Sequence, residues 1–389
     1  MDNQNTDHPN RLAALGFSYF RKVGSQRWRL LETYFTGLAE AFAASGLNLM
    51  AAGWSEKLTK DFISWRQSFA AAIIINELAK DNIGFITWHD QRYPRQLKTI
   101  ADPPPILYYK GDIGLFEKKG ADDCLAVVGS RQCSAYGAQA IKTLIPNLVQ
   151  CQIKIISGLA LGLDTLAHRA ALKDGGKTIA VLGSGLNRKN IYPTQNLSLA
   201  DEIINSGGLL LSEFPPDTPP YRQNFPRRNR LIAGLARATL VIEAPEKSGA
   251  LTTAEYAKSQ NRQLVVVPGA IFSRLSRGSN ELIKEGARAV MAASDILRIF
   301  VQTMEPPAES DKLSKNPARE ALSHFKNPDE KTVYGLIELA SGQGEVISAD
   351  QIIRDSQLDT ATINSTLSIL ELAGKIRLRG SGYELNIVI

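Results

Sequence analysis

Residues 124–131 read CLAVVGSR: five apolar residues, then glycine, serine and arginine. An apolar run this short, ended by glycine, reads as a strand buried on both faces that stops at a tight turn. The pattern recurs downstream as KIIS (154–157), KTIAVLG (177–183), LLLS (209–212), TLVIEA (239–244) and LVVVP (264–268). Between these runs lie helical stretches over 134–150, 162–174, 194–206, from an arginine-rich loop through Leu235, and over 249–260. Continuous Val/Ile/Leu strands alternating with helices imply an α/β chain with a doubly wound, mostly parallel sheet covered on both faces. Such sheets bind ligands beyond the carboxyl ends of their strands.

Outward from this core the chain changes character twice. Upstream, residues 11–80 place apolar residues at helical spacing, as in Leu30, Leu31, Tyr34, Phe35, Leu38 and Phe42, punctuated by glycines. All four tryptophans precede residue 89, which suits the core of a small helical domain. Residues 93–111 contain Pro103, Pro104 and Pro105, which exclude helix; Ile106–Tyr109 reads as a first short strand. Downstream, residues 304–328 are rich in proline, serine and charge and read as a linker. From 329, three helices and a hairpin around Gly380-Ser381-Gly382 read as a winged helix. The expected domains are therefore 1–90 (helical), 91–303 (Rossmann-like), a 304–328 linker and 329–389 (winged helix).

The chain has 389 residues, a net charge of +6 and three cysteines, with no C-x-x-C pair. A sparse, odd cysteine count fits a reducing compartment. The polar N-terminus has no apolar signal core, and no run approaches a membrane span, so a cytoplasmic protein is expected. Charge is uneven: residues 121–300 carry 21 basic and 14 acidic side chains, whereas 329–389 carry 5 and 9. A polyanion site therefore belongs to the middle of the chain.

Between Pro219 and Arg237 there are five arginines and no carboxylate, with FPRRNR at 225–230. The guanidinium fork fits phosphate oxygens and stacks on bases, so an uncompensated cluster points to a nucleic-acid backbone. Phe225 can stack on a base; Asn229 can meet a base edge or hold the loop. Gly129 lets the backbone approach a ligand, the amides near Ser130 can donate to phosphate, and Arg131 adds charge. The Ser157-Gly158 turn ends the second strand at a matching place. Ser248 and Gly249 open a helix as an anion nest. Glu243 is expected to orient an arginine or cap a turn. Asp164 and His168, four residues apart, admit an acid–base couple, but capping and packing are the weightier reading. Gly176-Lys177-Thr178 fails as a phosphate loop because a strand follows it, and no glycine fingerprint supports a nicotinamide cofactor. No cofactor or metal is expected. In the winged helix, Asp355–Gly374 carries no Lys or Arg, which argues against a duplex reader and for a protein-contact or self-regulatory role.

The motifs YPRQLKTIADPPPILYYKGD, VVGSR, SGLALGLDTLAH, GGKTIAVLGSGL, LLLSEFPP, FPRRNRLIAGLA, KSGALTTAEYA and GSNELIKEGA occur in one order over roughly residues 90–300. In this the chain resembles the DprA/Smf family of DNA-processing proteins. The resemblance implies a sterile-alpha-motif-like N-terminal domain and a winged-helix C-terminal domain. It also implies single-stranded DNA binding without catalysis, protection of incoming DNA, homodimerisation through the central domain, and loading of the RecA recombinase in natural transformation. The implied strand-binding residues are Gly129, Ser130, Arg131, Ser157, Gly158, Phe225, Arg227, Arg228, Asn229, Arg230, Ser248 and Gly249. One departure stands out: the family's usual arginine in SGLARGID is Leu161 here, which removes one cation near the pocket and leaves two alternatives, weaker binding or compensation through Lys177, Arg188 or Lys189. The alternative is a nucleoside-monophosphate phosphoribohydrolase using Glu255.

Overall fold

The computed structural model describes residues 9–117, 123–301, 328–342, 346–356, 358–372, 375–379 and 382–386. Most of the expected linker lies outside the described residues. Contacts divide the chain into two units, Met1–Pro306 and Pro307–Ile389.

The first unit opens with six helices, α1–α6 (Pro9–Tyr19, Ser25–Tyr34, Leu38–Ala43, Gly46–Ala51, Glu56–Gln67 and Ala71–Lys80). Trp28, Trp54, Phe17 and Phe62 are buried in their core, with Trp65 and Trp88 packed against it, so the tryptophans do pack this region. Strands β1 (Gly84–Thr87) and β2 (Ile106–Gly111) follow, with the short α7 (Arg95–Lys98) between them. The boundary expected at residue 90 therefore falls after a sheet strand. Leu15 of α1 and Leu78 of α6 share a buried cluster with Phe85 and Tyr108, so the helices are packed into the sheet unit.

Beyond β2 the chain alternates as β3 (Cys124–Val128), α8 (Ala135–Gln150), β4 (Lys154–Ser157), α9 (Leu163–Lys173), β5 (Thr178–Val181), α10 (Leu197–Asn205) and β6 (Leu209–Ser212). It continues as α11 (Asn224–Leu235), β7 (Ala238–Val241), α12 (Gly249–Ser259), β8 (Gln263–Val266), α13 (Arg277–Lys284), β9 (Arg288–Ala289) and α14 (Ala293–Val301). The nine strands lie in the order β1-β2-β6-β5-β4-β3-β7-β8-β9. All pairings from β6 to β9 are parallel; β2 runs antiparallel to β6, and β1 to β2. Strand residues are buried on both faces, for example Leu125, Ala126 and Val127, so each interior strand loses both surfaces to water. Side chains of this kind contribute roughly 1.5–3 kcal/mol each when fully buried. The order reverses at β3: β4, β5 and β6 follow on one side, β7, β8 and β9 on the other. That reversal opens a crevice at the carboxyl ends of β3, β4 and β7.

The second unit has α15 (Pro328–Gly342), α16 (Ala349–Ser356), α17 (Thr360–Leu372) and the antiparallel pair β10 (Ile376–Arg379) and β11 (Gly382–Leu385). Val333, Ile337, Ile352, Ile363 and Leu367 form its core. This is the expected winged helix. Among the described residues, no helix is long and apolar enough to cross a membrane.

Candidate nucleic-acid interface

A cleft of about 820 Å³ occupies the crevice at the strand reversal. Its walls come chiefly from the β3–α8 turn (Gly129 to Gln132), the approach to α11 with its first turns (Pro220 to Asn229) and the turn entering α12 (Pro245 to Ala250), with Ala160 and Asp164 after β4 and Tyr192 after β5 completing them. Eight of the twelve expected residues line it: Gly129, Ser130, Arg131, Phe225, Arg228, Asn229, Ser248 and Gly249.

The arginines of α11 correct one expectation. They are not an uncompensated cluster. Arg230 is buried, its Nη2 donating to Glu213 Oε2 at 2.7 Å and its Nε to Asp102 Oδ2 at 3.2 Å. Arg227 donates to the same Glu213 oxygen at 2.9 Å. Neither lines the cleft. Arg237, the last of the five, pairs with Asp123 at 3.3 Å. The carboxylates were absent from the local sequence window because they arrive from just after β6 (Glu213), from the loop before β2 (Asp102) and from just before β3 (Asp123).

Arg228 lies under the cleft floor and is nearly inaccessible. Its guanidinium donates to the carbonyls of Gly158 (2.8 Å) and Val181 and, through Nε, to Asn229 Oδ1 (3.2 Å). A Cβ at Gly158 would meet Arg228 Nη2 at 2.5 Å, so the Ser157-Gly158 turn needs glycine to admit this side chain. Ser157 itself is interior and donates to the Val127 carbonyl at 2.7 Å. Asp164 accepts from the amides of Gly158 (3.0 Å) and Ala160 (3.3 Å), fixing the loop after β4. Burial weighs against both charges. It lifts the Asp164 carboxyl above its ordinary range against the pull of Arg228, and lowers Arg228 to about 10 despite Asp164. Arg228 stays cationic at neutral pH.

Asp164 and His168 are not an acid–base couple. Thr178 Oγ1 donates to the Ile155 carbonyl, so it accepts from His168 Nδ1 at 2.7 Å. Burial pulls the imidazole down to about 3, leaving it neutral and interior.

Much of the expected amide donation is already engaged. The Ser130 amide donates to the Glu243 carbonyl at 2.6 Å, and the Gln132 amide to Ser130 Oγ at 3.1 Å. The Ser248 amide donates to Pro245 O, and Ala250 to the Ser248 hydroxyl at 3.2 Å. Among the described residues, the amides of Arg131 and Gly249 have no backbone acceptor, and both residues line the cleft. Gly129 serves packing more than ligand approach: a Cβ there would meet Leu163 Cδ1 at 2.3 Å. Glu243 caps the start of α8, accepting from the Ser134 amide (2.9 Å) and hydroxyl (2.5 Å). Asn229 holds the loop, donating to Gly249 O at 3.2 Å and so tying α11 to α12.

Two cleft cations were not among the expected site residues: Arg222 and Lys247. With Arg131 they are exposed and, among the described residues, have no carboxylate partner. Arg222 was visible in the five-arginine count, and Lys247 directly precedes the Ser248-Gly249 nest. Of the two alternatives at Leu161, compensation finds no support, because Lys177, Arg188 and Lys189 do not line the cleft. Lys177 donates to the Ser206 carbonyl at 2.5 Å, Arg188 pairs with Asp201 at 2.6 Å, and Lys189 with Asp217 at 3.5 Å. Glu255 is exposed on α12 and does not line the cleft, which removes the geometry the hydrolase alternative requires. On the winged helix, Arg377 and Arg379 both bond Glu384, at 2.7 and 3.1 Å.

Comparison with known proteins agrees with this architecture. The profile described as DNA recombination-mediator protein A matches residues 84–301, beginning at β1, and the DprA winged-helix profile matches 315–381. Protein Smf of Synechocystis is 33% identical over 93% of this chain and 95% of its own length. The DNA processing protein DprA of Streptococcus pneumoniae is 45% identical over 54% of this chain and 72% of its own. The X-ray structure of that pneumococcal protein matches 75% of this chain and 97% of its own, at 34% identity and a TM-score of 0.64. The Helicobacter pylori DNA processing protein A, whose structure is described for its single-stranded DNA binding mode, matches 57% of this chain and 98% of its own, at 30% identity and a TM-score of 0.50. With a family profile spanning more than half of its length and a relative aligned nearly end to end, this chain belongs to the DNA recombination-mediator protein A family.

Proposed function

We propose that the cleft binds a single DNA strand and that the protein delivers this strand to the RecA recombinase. One observation carries the reading: Arg131, Arg222 and Lys247, exposed and without carboxylate partners among the described residues, face one cleft from three separate loops. Phosphates sit on these three cations and on the amides of Arg131 and Gly249, while a base stacks on Phe225. A single strand can enter a crevice of about 820 Å³ with its bases splayed, whereas the stacked bases of a duplex cannot. Within a family of recombination mediators, the bound strand is protected and then handed to RecA, and the protein acts as a homodimer through its sheet unit.

The test is a pair of titrations with single- and double-stranded oligonucleotides at two salt concentrations. The expected result is a single-strand preference and an affinity that falls steeply with salt, each neutralised phosphate adding about 0.7 to the log–log slope. Equal affinity for both forms, or a flat salt response, refutes the cleft as the strand site. RecA filament growth on a pre-bound strand and sedimentation of the free protein test the two partner assignments separately.

A further inference from the structure

One carboxylate stands between the N-terminal helices and the cleft, none of whose lining residues precedes Val128. Asp102, in the loop before β2, joins two elements through its two oxygens. Ser25, the first residue of α2, donates its hydroxyl to Oδ1, and Arg230 of α11 donates its Nε to Oδ2 at 3.2 Å. Both partners are buried, while the Asp102 side chain is 50% exposed. Burial works against the Asp102 charge, but the bonds from Ser25 and Arg230 hold its carboxyl below the ordinary range. Each end of this chain is fixed. Trp28, one turn on from Ser25, is buried in the helical core, and Tyr93 pins the loop by donating to Pro104 O at 2.8 Å. Arg230 bonds Asp102 and Glu213, and its Nη1 has no hydrogen-bond partner among the described residues, so its place depends on these two carboxylates. Its neighbour Asn229 lines the cleft and bonds the start of α12. Arg11 and Ser18 also fasten the N-terminal helices, but to Asp90 and Tyr108, neither of which bonds α11.

We propose that Ser25 and Asp102 are positioning residues for strand binding: the Ser25–Asp102–Arg230 chain sets the seat of α11 from α2, and so gives the N-terminal helices control over a cleft they do not line. The inference rests on the reading of the cleft as a strand site. Charge alone predicts the opposite sign for Asp102. A carboxylate near a phosphate site repels the strand, so its removal should tighten binding. Positioning predicts that removal weakens binding, because α11 carries Phe225 and Asn229, and an Arg230 held from one side only lets both drift. The fold should survive the loss, since Glu213 still pairs with Arg230 and water reaches the half-exposed Asp102 site.

The experiment measures fluorescence anisotropy of the full chain with labelled oligo-dT, beside urea midpoints of each variant. Ser25→Ala and Asp102→Ala are each expected to weaken binding about fivefold, within the range of couplings carried through packed networks. The salt slope should stay unchanged, because neither residue neutralises a phosphate. The double variant should bind no more weakly than Asp102→Ala alone, because both changes break one chain. Asp102→Asn removes the charge but keeps the chain, its carbonyl accepting from Arg230 and its amide donating to Ser25 Oγ, so it should retain the parent affinity. Four results overturn the proposal. Ser25→Ala with the parent affinity means that Asp102 serves Arg230 alone and the N-terminal helices have no hold on the cleft. Equal shifts for Asp102→Ala and Asp102→Asn mean a charge effect. Additive losses in the double variant mean two separate causes. Binding losses that vanish once the unfolded fraction is subtracted mean a structural role only. A parent chain that does not bind oligo-dT is a different outcome: it sinks the cleft reading first, and this proposal with it.

Discussion

Helix α11 and the rim of the cleft carry the same charge and use it in opposite ways. Arg228 and Arg230 turn inward and Arg227 pairs with buried Glu213, so the helix spends its cations on holding itself in place. Arg131, Arg222 and Lys247 sit on loops, outward and without carboxylate partners among the described residues. The lesson concerns distance along the chain. A stretch without carboxylates is not a stretch without counter-charges. Glu213 precedes Arg230 by 17 residues and Asp102 by 128. The inner set holds the outer set still: α11 carries Phe225 and Asn229, and Asn229 reaches the start of α12.

The largest effect expected from this division is on stability. Glu213→Ala leaves Arg230 buried without its closest carboxylate and frees Arg227. Breaking a buried pair from one side costs about 3–5 kcal/mol. Urea denaturation should record a loss of that order, with the m-value unchanged. A loss as small as that of a rim variant would mean that the inner arginines do not anchor the helix.

Acid should attack the same inner layer. His168 has its folded pKa lowered to about 3 from an ordinary 6.5, so between those values the unfolded chain binds a proton that the folded chain refuses. Stability from this group is complete above about 6.5 and declines as pH falls towards 3. At about 1.4 kcal/mol per unit, the total is on the order of 5 kcal/mol. Asp164 acts in the opposite sense. Its folded carboxyl is raised, so it favours the folded chain below the ordinary carboxylate range and loses that contribution as pH rises. His168→Leu should flatten the decline between pH 6.5 and 4 in thermal melts. An unchanged acid slope would show that His168 is not the group responsible.

The contrast between the two regions also marks what could be read from sequence. Runs such as CLAVVGS and TLVIEA announced buried parallel strands because both faces of each strand are apolar. Strand β1 was missed because GFIT is only four residues long and begins with glycine, and its membership depends on antiparallel pairing with β2, including Tyr108 and Tyr109. The loops of the site were legible from their turn residues: Gly129-Ser130-Arg131 follows β3, Ser157-Gly158 closes β4, and Ser248-Gly249 opens α12. The direction in which each arginine points was not, since that depends on which carboxylates the fold brings to it. Arg222 and Lys247 were hidden in a different way. Each is a single cation in a loop, and only the closure of three loops around one cleft gives it meaning.

On the rim the expected change is in binding, not in stability. Arg131→Ala, Arg222→Ala and Lys247→Ala should each weaken single-strand affinity about tenfold at low salt, as expected for the loss of one charge-assisted contact. Each should lower the log–log salt slope by about 0.7, with unfolding midpoints within about 0.5 kcal/mol of the parent chain. Arg227→Ala sharpens the comparison, because its side chain is half exposed yet pairs with Glu213 outside the cleft. It should leave the slope unchanged. A slope that falls for Arg227→Ala but not for Arg222→Ala would reverse the assignment of inner and outer cations.

The smallest effect belongs to the wing. Arg377 and Arg379 are as exposed as the rim cations, but both bond Glu384, and these bonds hold its carboxyl below the ordinary range. The pairing therefore persists through neutral and mildly acid pH, and both guanidiniums are engaged by Glu384, which neutralises one of the two charges. Helix α17 offers none beyond Glu371; its exposed positions include Asn364, Ser365, Ser368 and Ile369. The double variant Arg377→Ala, Arg379→Ala should thus bind single strands with the parent affinity and the parent salt slope. The decisive reading is the slope, because a wing that touched DNA would release counterions whether or not it added much affinity. If the slope drops, exposure outweighs pairing as the criterion for a DNA-contacting arginine, and the line drawn between α11 and the rim would have to be redrawn on exposure alone.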